Sequence, residues 1–301
     1  MAASKASPTN APLTVSVILP CYNEEKSVES TLKVVSAALA PIPAHEIILV
    51  NDGSTDGSAA VLEKLAASYP KLRIITHEVN RGYGAALKTG IRRANGELIA
   101  ITDADGTYPN ERLAELVGRC ANQDMVVGAR TGPNVTYSKL RAFPKMFLRA
   151  WVSWIARRQV PDINSGMRVF RRDVVSKFFG ILPNSFSFTI TITLAMLTTS
   201  HLVEFVPIDY AARVGNSKIK PIRDTARFIK IILRTGVYFA PVRAFAPVVA
   251  ALGLATAISL GYDVFILRDL TERSLILFLA GLNTGMFVLI ADMIDKRTER
   301  W

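Results

Sequence analysis

An alternation of short apolar runs with helix-like segments, from about Leu13 to Ala129, constrains the fold of this chain more than any other feature. The runs are rich in Val and Ile, which is typical of βα units whose strands lie parallel and buried in one sheet. We therefore expect an α/β fold with a mostly parallel sheet. The predicted strands are Val15–Leu19, Ile47–Val50, Leu72–Thr76, Leu98–Thr102 and Met125–Ala129, and the predicted helices are Ser27–Ala40, Ser58–Ser68, Gly84–Ala94 and Pro109–Ala121.

Polar motifs follow four of these runs. They are Pro20-Cys-Tyr-Asn-Glu-Glu25, Asn51-Asp-Gly-Ser-Thr-Asp56, Asn80-Arg-Gly-Tyr-Gly84 and Asp103-Ala-Asp105. Ligands of parallel sheets bind outside the carboxyl ends of the strands, so these motifs are expected to meet at one edge. Their convergence is stronger evidence for a site than any single motif.

The carboxylates of Asp103 and Asp105 stand two residues apart at the end of an apolar run, which Gly106 and Pro109 then break. Two such carboxylates can share one hard cation through their oxygens. A diphosphate is the usual partner of such a cation, because the metal neutralises its oxygens as it leaves. The pair therefore predicts a site for a metal and a diphosphate.

The earlier motifs offer candidates for binding a nucleoside. Pro20, Tyr22 and Glu24 place a ring and a carboxylate where a base and ribose would fit, although Tyr-Asn-Glu is also a good helix start. Asp52 can accept a hydrogen bond from a base N–H, whereas Asp56 is expected to cap the next helix. Arg81 can reach the diphosphate. The three histidines, His45, His77 and His201, share no metal-like spacing and are interpreted as structural or solvated.

The composition favours an anionic membrane surface as a partner. The chain has a formal charge of +11, 50% hydrophobic residues and a positive mean hydropathy. It lacks a basic ladder interleaved with aromatic residues, so no nucleic-acid partner is expected. Two cysteines give no disulfide framework, which indicates a reducing compartment.

The C-terminal part predicts a membrane anchor. Ala244–Tyr262 and Ser274–Ala291 contain no Asp, Glu, Lys or Arg and are near the length that spans a bilayer, with two buried core helices as the alternative. Before them, basic residues fall on one helix face, which predicts a helix in the membrane interface or, alternatively, one packed on the core. These residues are Arg223, Arg227, Lys230 and Arg234. The positive-inside rule places the large domain and the C-terminus on the cytoplasmic side.

The first, second and fourth motifs together resemble those of family 2 glycosyltransferases, which have the GT-A fold. Asn164-Ser-Gly-Met-Arg-Val-Phe170 and the C-terminal spans resemble one branch, the polyprenyl-phosphate sugar transferases similar to dolichol-phosphate mannose synthase and its undecaprenyl-phosphate relatives. The resemblance covers about Leu13 to Lys218 in motifs and the rest in architecture. The expected domains are a disordered tail (1–12), a GT-A catalytic domain (13–218), an interface helix (219–243), a transmembrane hairpin (244–294) and a cytoplasmic tail (295–301).

The resemblance also implies roles for individual residues. Asp103 would contact the nucleotide sugar and the metal, and Asp105 would be the principal ligand of Mg²⁺ or Mn²⁺. Pro20, Tyr22, Glu24 and Asp52 would hold the nucleoside. Many relatives carry Gln two residues after the second aspartate, where this chain has Thr107, a weaker metal ligand.

A phosphate acceptor is also favoured on physical grounds. A hydroxyl acceptor needs a general base, whereas a phosphate monoester is mostly dianionic at pH 7, with a second pKa of about 6. Two unit charges 4 Å apart repel by roughly 4 kcal/mol at an effective dielectric of about 20, so cations must offset the approach of the two anions. The resemblance to the family implies Arg130 and Arg168 as candidates, together with Ser165, and Arg213, Ser217 and Lys218 form a second set. Surface salt bridges are the alternative role for the arginines.

The sequence thus predicts an integral membrane enzyme that moves one sugar, with inversion, from a nucleoside diphosphate to a polyprenyl phosphate. A polysaccharide synthase or hydroxyl-acceptor enzyme is the first alternative, but Thr298-Glu-Arg-Trp301 has only the Arg-Trp of the usual Gln-x-x-Arg-Trp motif. An inactive lipid-binding scaffold is the second. The sugar, the base and the lipid are not fixed by these motifs, and the spans permit a homo-oligomer without counting its subunits.

Overall fold

The computed structural model describes residues 14–133, 142–211, 234, 236–238 and 240–298. Several predictions fall outside this part of the chain: the tail at 1–12, the residues Arg213, Ser217 and Lys218, and nearly all of the interface helix. The described residues form two units. The first contains 14–133, 161–192 and 201–211, and the second contains 142–160, 193–200 and the residues from 234 onward.

A seven-stranded sheet organises the first unit. Its strands are β1 (Val15–Cys21), β2 (His45–Asn51), β3 (Leu72–Thr76), β4 (Leu98–Ile101), β5 (Met125–Ala129), β6 (Arg168–Arg171) and β7 (Val203–Pro207). They lie in the order β3-β2-β1-β4-β6-β5-β7. β6 runs antiparallel to both of its neighbours, and every other pairing is parallel. This confirms the predicted α/β class with a mostly parallel sheet.

Two of these strands, β6 and β7, were missed by the sequence analysis. β6 has only Val169 and Phe170 between its terminal arginines, so its apolar run is too short to be recognised. Its buried position comes from insertion between β4 and β5. Because β6 is antiparallel, it begins at the edge where β4 and β5 end, and this brings residues 164–168 to the predicted site.

The helices follow the predicted pattern closely in the N-terminal half. In the part of the chain that the structure describes, the α-helices are α1 (Val28–Leu39), α2 (Ser58–Ser68), α3 (Tyr83–Arg93), α4 (Leu113–Arg119), α5 (Ala142–Ala156), α6 (Arg172–Lys177), α7 (Phe188–Thr198), α8 (Pro241–Tyr262) and α9 (Glu272–Thr298). Apolar residues of α1 and α2 are buried beside the strands, including Leu32, Val35 and Leu62. The predicted helix at Pro109–Ala121 is α4 flanked by short 3₁₀ turns at Asn110–Arg112 and Cys120–Asn122.

A helical hairpin of α8 and α9 dominates the second unit. Its turn is held by the buried Asp263, whose Oδ2 accepts bonds from Thr271 N at 2.9 Å, Thr271 Oγ1 at 2.7 Å and Ser274 Oγ at 2.6 Å. Two segments, Pro241–Leu267 and Glu272–Ile294, are long and apolar enough to cross a membrane. α9 continues to Thr298, so residues 295–298 of the predicted tail are helical.

A pair of glycines tests the packing of the first unit. A Cβ at Gly96 would lie 2.5 Å from Ser16 N, whereas a Cβ at Gly118 in α4 would meet open space. We expect Gly96→Ala to destabilise the protein by about 1–3 kcal/mol, because backbone must move. Gly118→Ala should be neutral or stabilising by up to about 1 kcal/mol, since alanine favours the helix. Thermal unfolding of both variants in detergent measures the two changes in stability. Equal melting temperatures of Gly96→Ala and Gly118→Ala would contradict the packing described.

Candidate functional site

The carboxyl ends of β1 to β5 lie at one edge of the sheet, and the first two polar motifs interlock there. Asn23 Oδ1 accepts a hydrogen bond from Thr55 N at 2.8 Å, and Glu24 N donates to Ser58 Oγ at 3.0 Å. Glu25 Oε2 accepts from Gly57 N at 3.1 Å. The two turns therefore form one surface at the end of β1 and β2.

The predicted nucleoside residues are spread along this surface. Pro20 is the penultimate residue of β1, and Tyr22 and Glu24 follow it, all three half-buried. Glu24 Oε2 accepts a hydrogen bond from Ser27 Oγ at 3.0 Å. The side chain of Arg81 is exposed on the turn after β3. Asp56 lies one residue before the N-cap Gly57, and its Oδ1 accepts from Ser58 N, the first amide of α2, at 3.0 Å; the predicted capping position is therefore displaced by one residue.

Asp52 is almost fully buried and fixes the turn after β3. Its Oδ1 accepts a hydrogen bond from Arg81 N at 3.0 Å, and its Oδ2 accepts from Gly82 N at 2.8 Å. A carboxylate that accepts two backbone N–H bonds holds their segment firmly, since such charge-assisted bonds are strong. The geometry therefore gives Asp52 a role in shaping the turn, and its predicted contact with the base stays a prediction.

The side chain of His77 contacts the carboxylate of Asp52. Its Nδ1 lies 2.7 Å from Asp52 Oδ1, and its Nε2 lies 2.9 Å from Thr89 Oγ1. The hydrogen bonds at both nitrogens fix the ring. The prediction that the histidines are structural fits this position, but it overlooked the contact with Asp52. The signal in the sequence was the place of His77 directly after β3, at the same edge as the other motifs.

Asp103 lies just after β4, and two segments distant in sequence reach it. Tyr83 Oη donates to Asp103 Oδ1 at 2.9 Å. A Cβ at Gly166 would lie 2.9 Å from the same oxygen, so the glycine allows residues 164–166 to approach the carboxylate. Burial, together with the negative charge of Asp103, raises the pKa of Tyr83 well above its usual value, so the tyrosine stays a neutral donor.

Asp105 and Thr107 interact directly. Asp105 Oδ1 accepts bonds from Thr107 Oγ1 at 2.7 Å and from Thr107 N at 3.1 Å, and both residues are buried. Gly106 between them has φ +71°, a conformation that favours glycine and tightens the turn. In this geometry the Thr107 hydroxyl orients Asp105, and its predicted direct bond to the metal stays a prediction.

The oxygens of Asp103, Asp105 and Thr107 suit a hard cation such as Mg²⁺ or Mn²⁺. Within the described ranges, no group of three or more His, Cys, Asp or Glu side chains is arranged to hold a metal ion. A pair of carboxylates at a sheet edge instead fits a cation whose remaining ligands are phosphate oxygens and water.

Arg130 follows β5 directly and pairs with Asp162. Its Nε lies 2.7 Å from Asp162 Oδ2, its Nη2 lies 3.0 Å from Oδ1, and its guanidinium stacks 5.1 Å from the centre of the Tyr210 ring. Burial alone would raise the pKa of Asp162, but the charge and hydrogen bonds of Arg130, with a bond from Asn164 N, hold it below its usual range. The pair places a well-oriented cation at the same edge of the sheet as Asp103 and Asp105.

Arg168, the first residue of β6, is completely buried. Its Nε donates to Ser165 O at 3.1 Å, and its Nη1 donates to Thr189 O at 3.2 Å. Burial lowers its pKa to about 10, so it remains charged at neutral pH. Ser165 Oγ is buried and has no hydrogen-bond partner among the residues described. The geometry makes Arg168 a support for residues 165–168, and a contact of either residue with the acceptor stays a prediction.

Comparison with known proteins identifies the family. The family described as "Glycosyl transferase family 2" matches residues 16–179 of the 301-residue chain, which is more than half of it. The chain belongs to glycosyl transferase family 2. The matched region contains Asp52, Asp103, Asp105, Arg130 and Arg168.

The chain is similar to proteins named for transfer to undecaprenyl phosphate and to a protein named as a glycosyltransferase without a stated acceptor. It is 32% identical over 222 residues to the undecaprenyl-phosphate 4-deoxy-4-formamido-L-arabinose transferase of Pseudomonas fluorescens, covering 69% of this chain and 61% of that protein. It is 28% identical over 239 residues to glycosyltransferase AglD of Haloferax volcanii, covering 76% of this chain and 38% of that protein. The chain thus spans less than two thirds of the length of these relatives.

Solved structures share the fold. Glucosyl-3-phosphoglycerate synthase of Mycobacterium tuberculosis, solved with Mn²⁺, UDP and phosphoglyceric acid, has a TM-score of 0.58 at 18% identity and covers 74% of this chain and 78% of that one. The same enzyme solved with Mg²⁺ and UDP has a TM-score of 0.56 at 20% identity and covers 74% and 79%. These similarities confirm the predicted GT-A fold.

The Arg130–Asp162 pair gives a pH-dependent prediction. Asp162→Asn removes the partner of a mostly buried cation, and we expect a loss of about 3 kcal/mol or more of stability at pH 7. The lowered pKa of Asp162 means that this contribution is complete above the unfolded value of about 3.9. The contribution is lost as the pH falls through the pKa that Asp162 has in the folded protein.

Thermal unfolding between pH 7 and pH 3 measures this effect. The difference in melting temperature between wild type and Asp162→Asn should be largest at pH 7 and should decrease toward pH 3. Asp173→Asn is the matched control, since its side chain is 63% exposed and pairs only weakly with Arg171 at 3.4 Å. A difference in melting temperature that does not change with pH, or that the Asp173→Asn control also shows, would contradict the role given to the Arg130–Asp162 pair.

Proposed function

We propose that this protein transfers a single sugar, with inversion, from a nucleoside-diphosphate sugar to a polyprenyl phosphate at a membrane. One observation carries the proposal: the two carboxylates Asp103 and Asp105 and the paired cation Arg130 occupy the same sheet edge in a family 2 fold. The names of the relatives that use undecaprenyl phosphate support the choice of acceptor.

The donor would bind along the ends of β1 to β4. Pro20, Tyr22, Glu24 and Asp52 would hold the nucleoside, and the exposed Arg81 would contact the diphosphate. The Asp52 bonds to the backbone of Arg81 and Gly82 keep that turn in place before the donor arrives. A preformed turn costs less ordering on binding, which favours affinity for the donor.

Asp103 and Asp105 would hold Mg²⁺ or Mn²⁺, with the Thr107 hydroxyl as orienting group or further ligand. When bound, the cation would neutralise the charge that develops on the diphosphate as it leaves. The structural neighbours were solved with either metal, so both are retained as candidates.

The acceptor phosphate would lie beside Arg130. An oxygen of the lipid phosphate attacks the anomeric carbon, the bond from that carbon to the diphosphate oxygen breaks, and the nucleoside diphosphate departs. A phosphate dianion needs no general base, and one in-line displacement inverts the anomeric centre. Arg130 would offset the repulsion between the two anions, and Asp162 would hold its guanidinium in place. Ser165, Arg168, Arg213, Ser217 and Lys218 remain further candidates.

The hairpin of α8 and α9 would anchor the protein in the bilayer. Large apolar side chains of the hairpin are exposed, among them Leu254 of α8 at 64%, Phe265 just after α8 at 81% and Leu289 of α9 at 68%. Such a surface is stabilised by lipid rather than water. With the basic segments near the spans facing the cytoplasm, the catalytic domain (13–218) and the tail (295–301) would both be cytoplasmic, and 219–243 would lie in the interface.

The choice of acceptor is tested directly with purified protein in detergent. Labelled nucleotide sugars, Mg²⁺ or Mn²⁺ and either polyprenyl phosphate or the unphosphorylated polyprenol are supplied. We expect label in the organic phase only with the phosphate and only without EDTA. Equal transfer to the alcohol would indicate a hydroxyl acceptor, a growing polymer would indicate a synthase, and no transfer from any donor would favour an inactive scaffold.

The metal-site assignment gives a second prediction. Asp105→Asn should lower transfer to polyprenyl phosphate by about 10²-fold or more, because it removes a charged ligand at the reacting diphosphate. Asp173→Asn makes the same chemical change after the carboxyl end of β6, at the opposite edge of the sheet, and should leave the rate unchanged. Retention of wild-type rates by Asp105→Asn would refute the assignment.

A further inference from the structure

Tyr83 connects the turn after β3 to the carboxylate of Asp103. It is the first residue of α3, and its hydroxyl donates to Asp103 Oδ1 at 2.9 Å. Tyr83 and Asp103 therefore belong to different segments that meet at the same edge of the sheet. The bond is therefore a link between the segment proposed to face the diphosphate and one of the two proposed metal carboxylates.

The ring of Tyr83 also packs against an aromatic side chain. It stacks on Phe186, with ring centroids 5.2 Å apart and planes inclined by 13°. Offset-stacked aromatic pairs of this kind restrict the ring to one orientation. The hydroxyl is consequently aimed at Asp103 by packing as well as by its own hydrogen bond.

The backbone around Tyr83 is fixed from two sides. Asp52 binds the amides of Arg81 and Gly82, and the segment 183–186 packs on the other side. Ala85 N donates to Asn184 O at 3.2 Å, and Lys88 Nζ donates to Asn184 Oδ1 at 2.9 Å. A Cβ at Gly84 would lie 2.2 Å from Pro183 O, so only glycine permits this approach. Tyr83 thus has a rigid base from which to orient another group.

We propose that Tyr83 is a positioning residue that fixes the side-chain orientation of Asp103 for the metal and the nucleotide diphosphate. Because Tyr83 follows Arg81 and Gly82 in the same turn, the orientation of Asp103 is also coupled to the position of Arg81. The inference rests on the proposed function for the identity of the ligand, a divalent cation with a nucleoside diphosphate. It does not depend on which acceptor receives the sugar.

The role follows from how a carboxylate is held. An aspartate side chain at a loop can rotate, and each rotamer aims its oxygens differently. A hydrogen bond from a fixed donor to one oxygen selects one orientation. Groups that orient metal ligands in this way typically change metal affinity or activity by about 10–100-fold when removed.

Tyr83→Phe tests the proposal, because it removes the hydroxyl and keeps the ring that stacks on Phe186. Binding of Mn²⁺ to the full-length protein is titrated by electron paramagnetic resonance in the presence of UDP or GDP, without lipid. We expect Tyr83→Phe to weaken Mn²⁺ binding by about ten-fold or more. The melting temperature of the unliganded variant should stay within a few degrees of wild type, which separates positioning from a loss of folding.

Tyr69→Phe is the matched control. Tyr69 follows α2 and precedes β3, so it lies at the opposite edge of the sheet, and its variant should bind Mn²⁺ as wild type does. In the transfer assay, Tyr83→Phe should lower kcat while the KM for polyprenyl phosphate stays unchanged. A merely structural role would lower the melting temperature and would not separate these two parameters.

The outcomes separate this inference from the proposed function. Wild-type Mn²⁺ binding by Tyr83→Phe would overturn the role of Tyr83, whatever acceptor the protein uses. Weakened binding in a protein that transfers no sugar to polyprenyl phosphate would support Tyr83 and contradict the proposed acceptor. Failure of the wild-type protein to bind Mn²⁺ with either nucleotide would overturn both.

Discussion

The candidate site depends on the hydrogen bonds that the buried carboxylate of Asp52 accepts. These bonds join the end of β2 to the turn after β3, because the donors are the amides of Arg81 and Gly82. The ring of His77 lies at hydrogen-bonding distance from the same carboxylate. Burying a charged carboxylate is costly unless it is hydrogen-bonded, so the turn and the carboxylate stabilise each other. Tyr83 follows that turn directly and donates a hydrogen bond to Asp103, so the buried Asp52 is connected through the turn to the carboxylate of Asp103.

The antiparallel strand β6 brings a further set of residues to this edge of the sheet. A parallel crossover would have carried residues 164–168 to the far edge, whereas an antiparallel strand starts where β4 and β5 end. Gly166 therefore comes against Asp103, and Asp162 comes against Arg130. The acids that suit a donor and the cation that suits an acceptor phosphate consequently lie at one edge, as a displacement between two anions requires.

The sequence predicted the five strands and four helices of the first half, because each strand there is a continuous apolar run bounded by polar turns. It also placed Asp52, Asp103 and Asp105 at strand ends. It missed β6, whose two apolar residues become buried only through their neighbours, and it missed the contacts of Tyr83, His77 and Asp162. These contacts join residues 20 or more positions apart, and periodicity within a short window carries no information about them.

The measurement that tests the account most directly is the location of Mn²⁺ in crystals of the protein grown with a nucleoside diphosphate. Anomalous scattering identifies the ion without reference to any assumed mechanism. The account predicts one strong peak bonded to a carboxylate oxygen of Asp105 and to diphosphate oxygens, with Asp103 adjacent and Tyr83 still bonded to it. A peak elsewhere in the fold, or a diphosphate bound away from the ends of β1 to β4, would contradict the central claim.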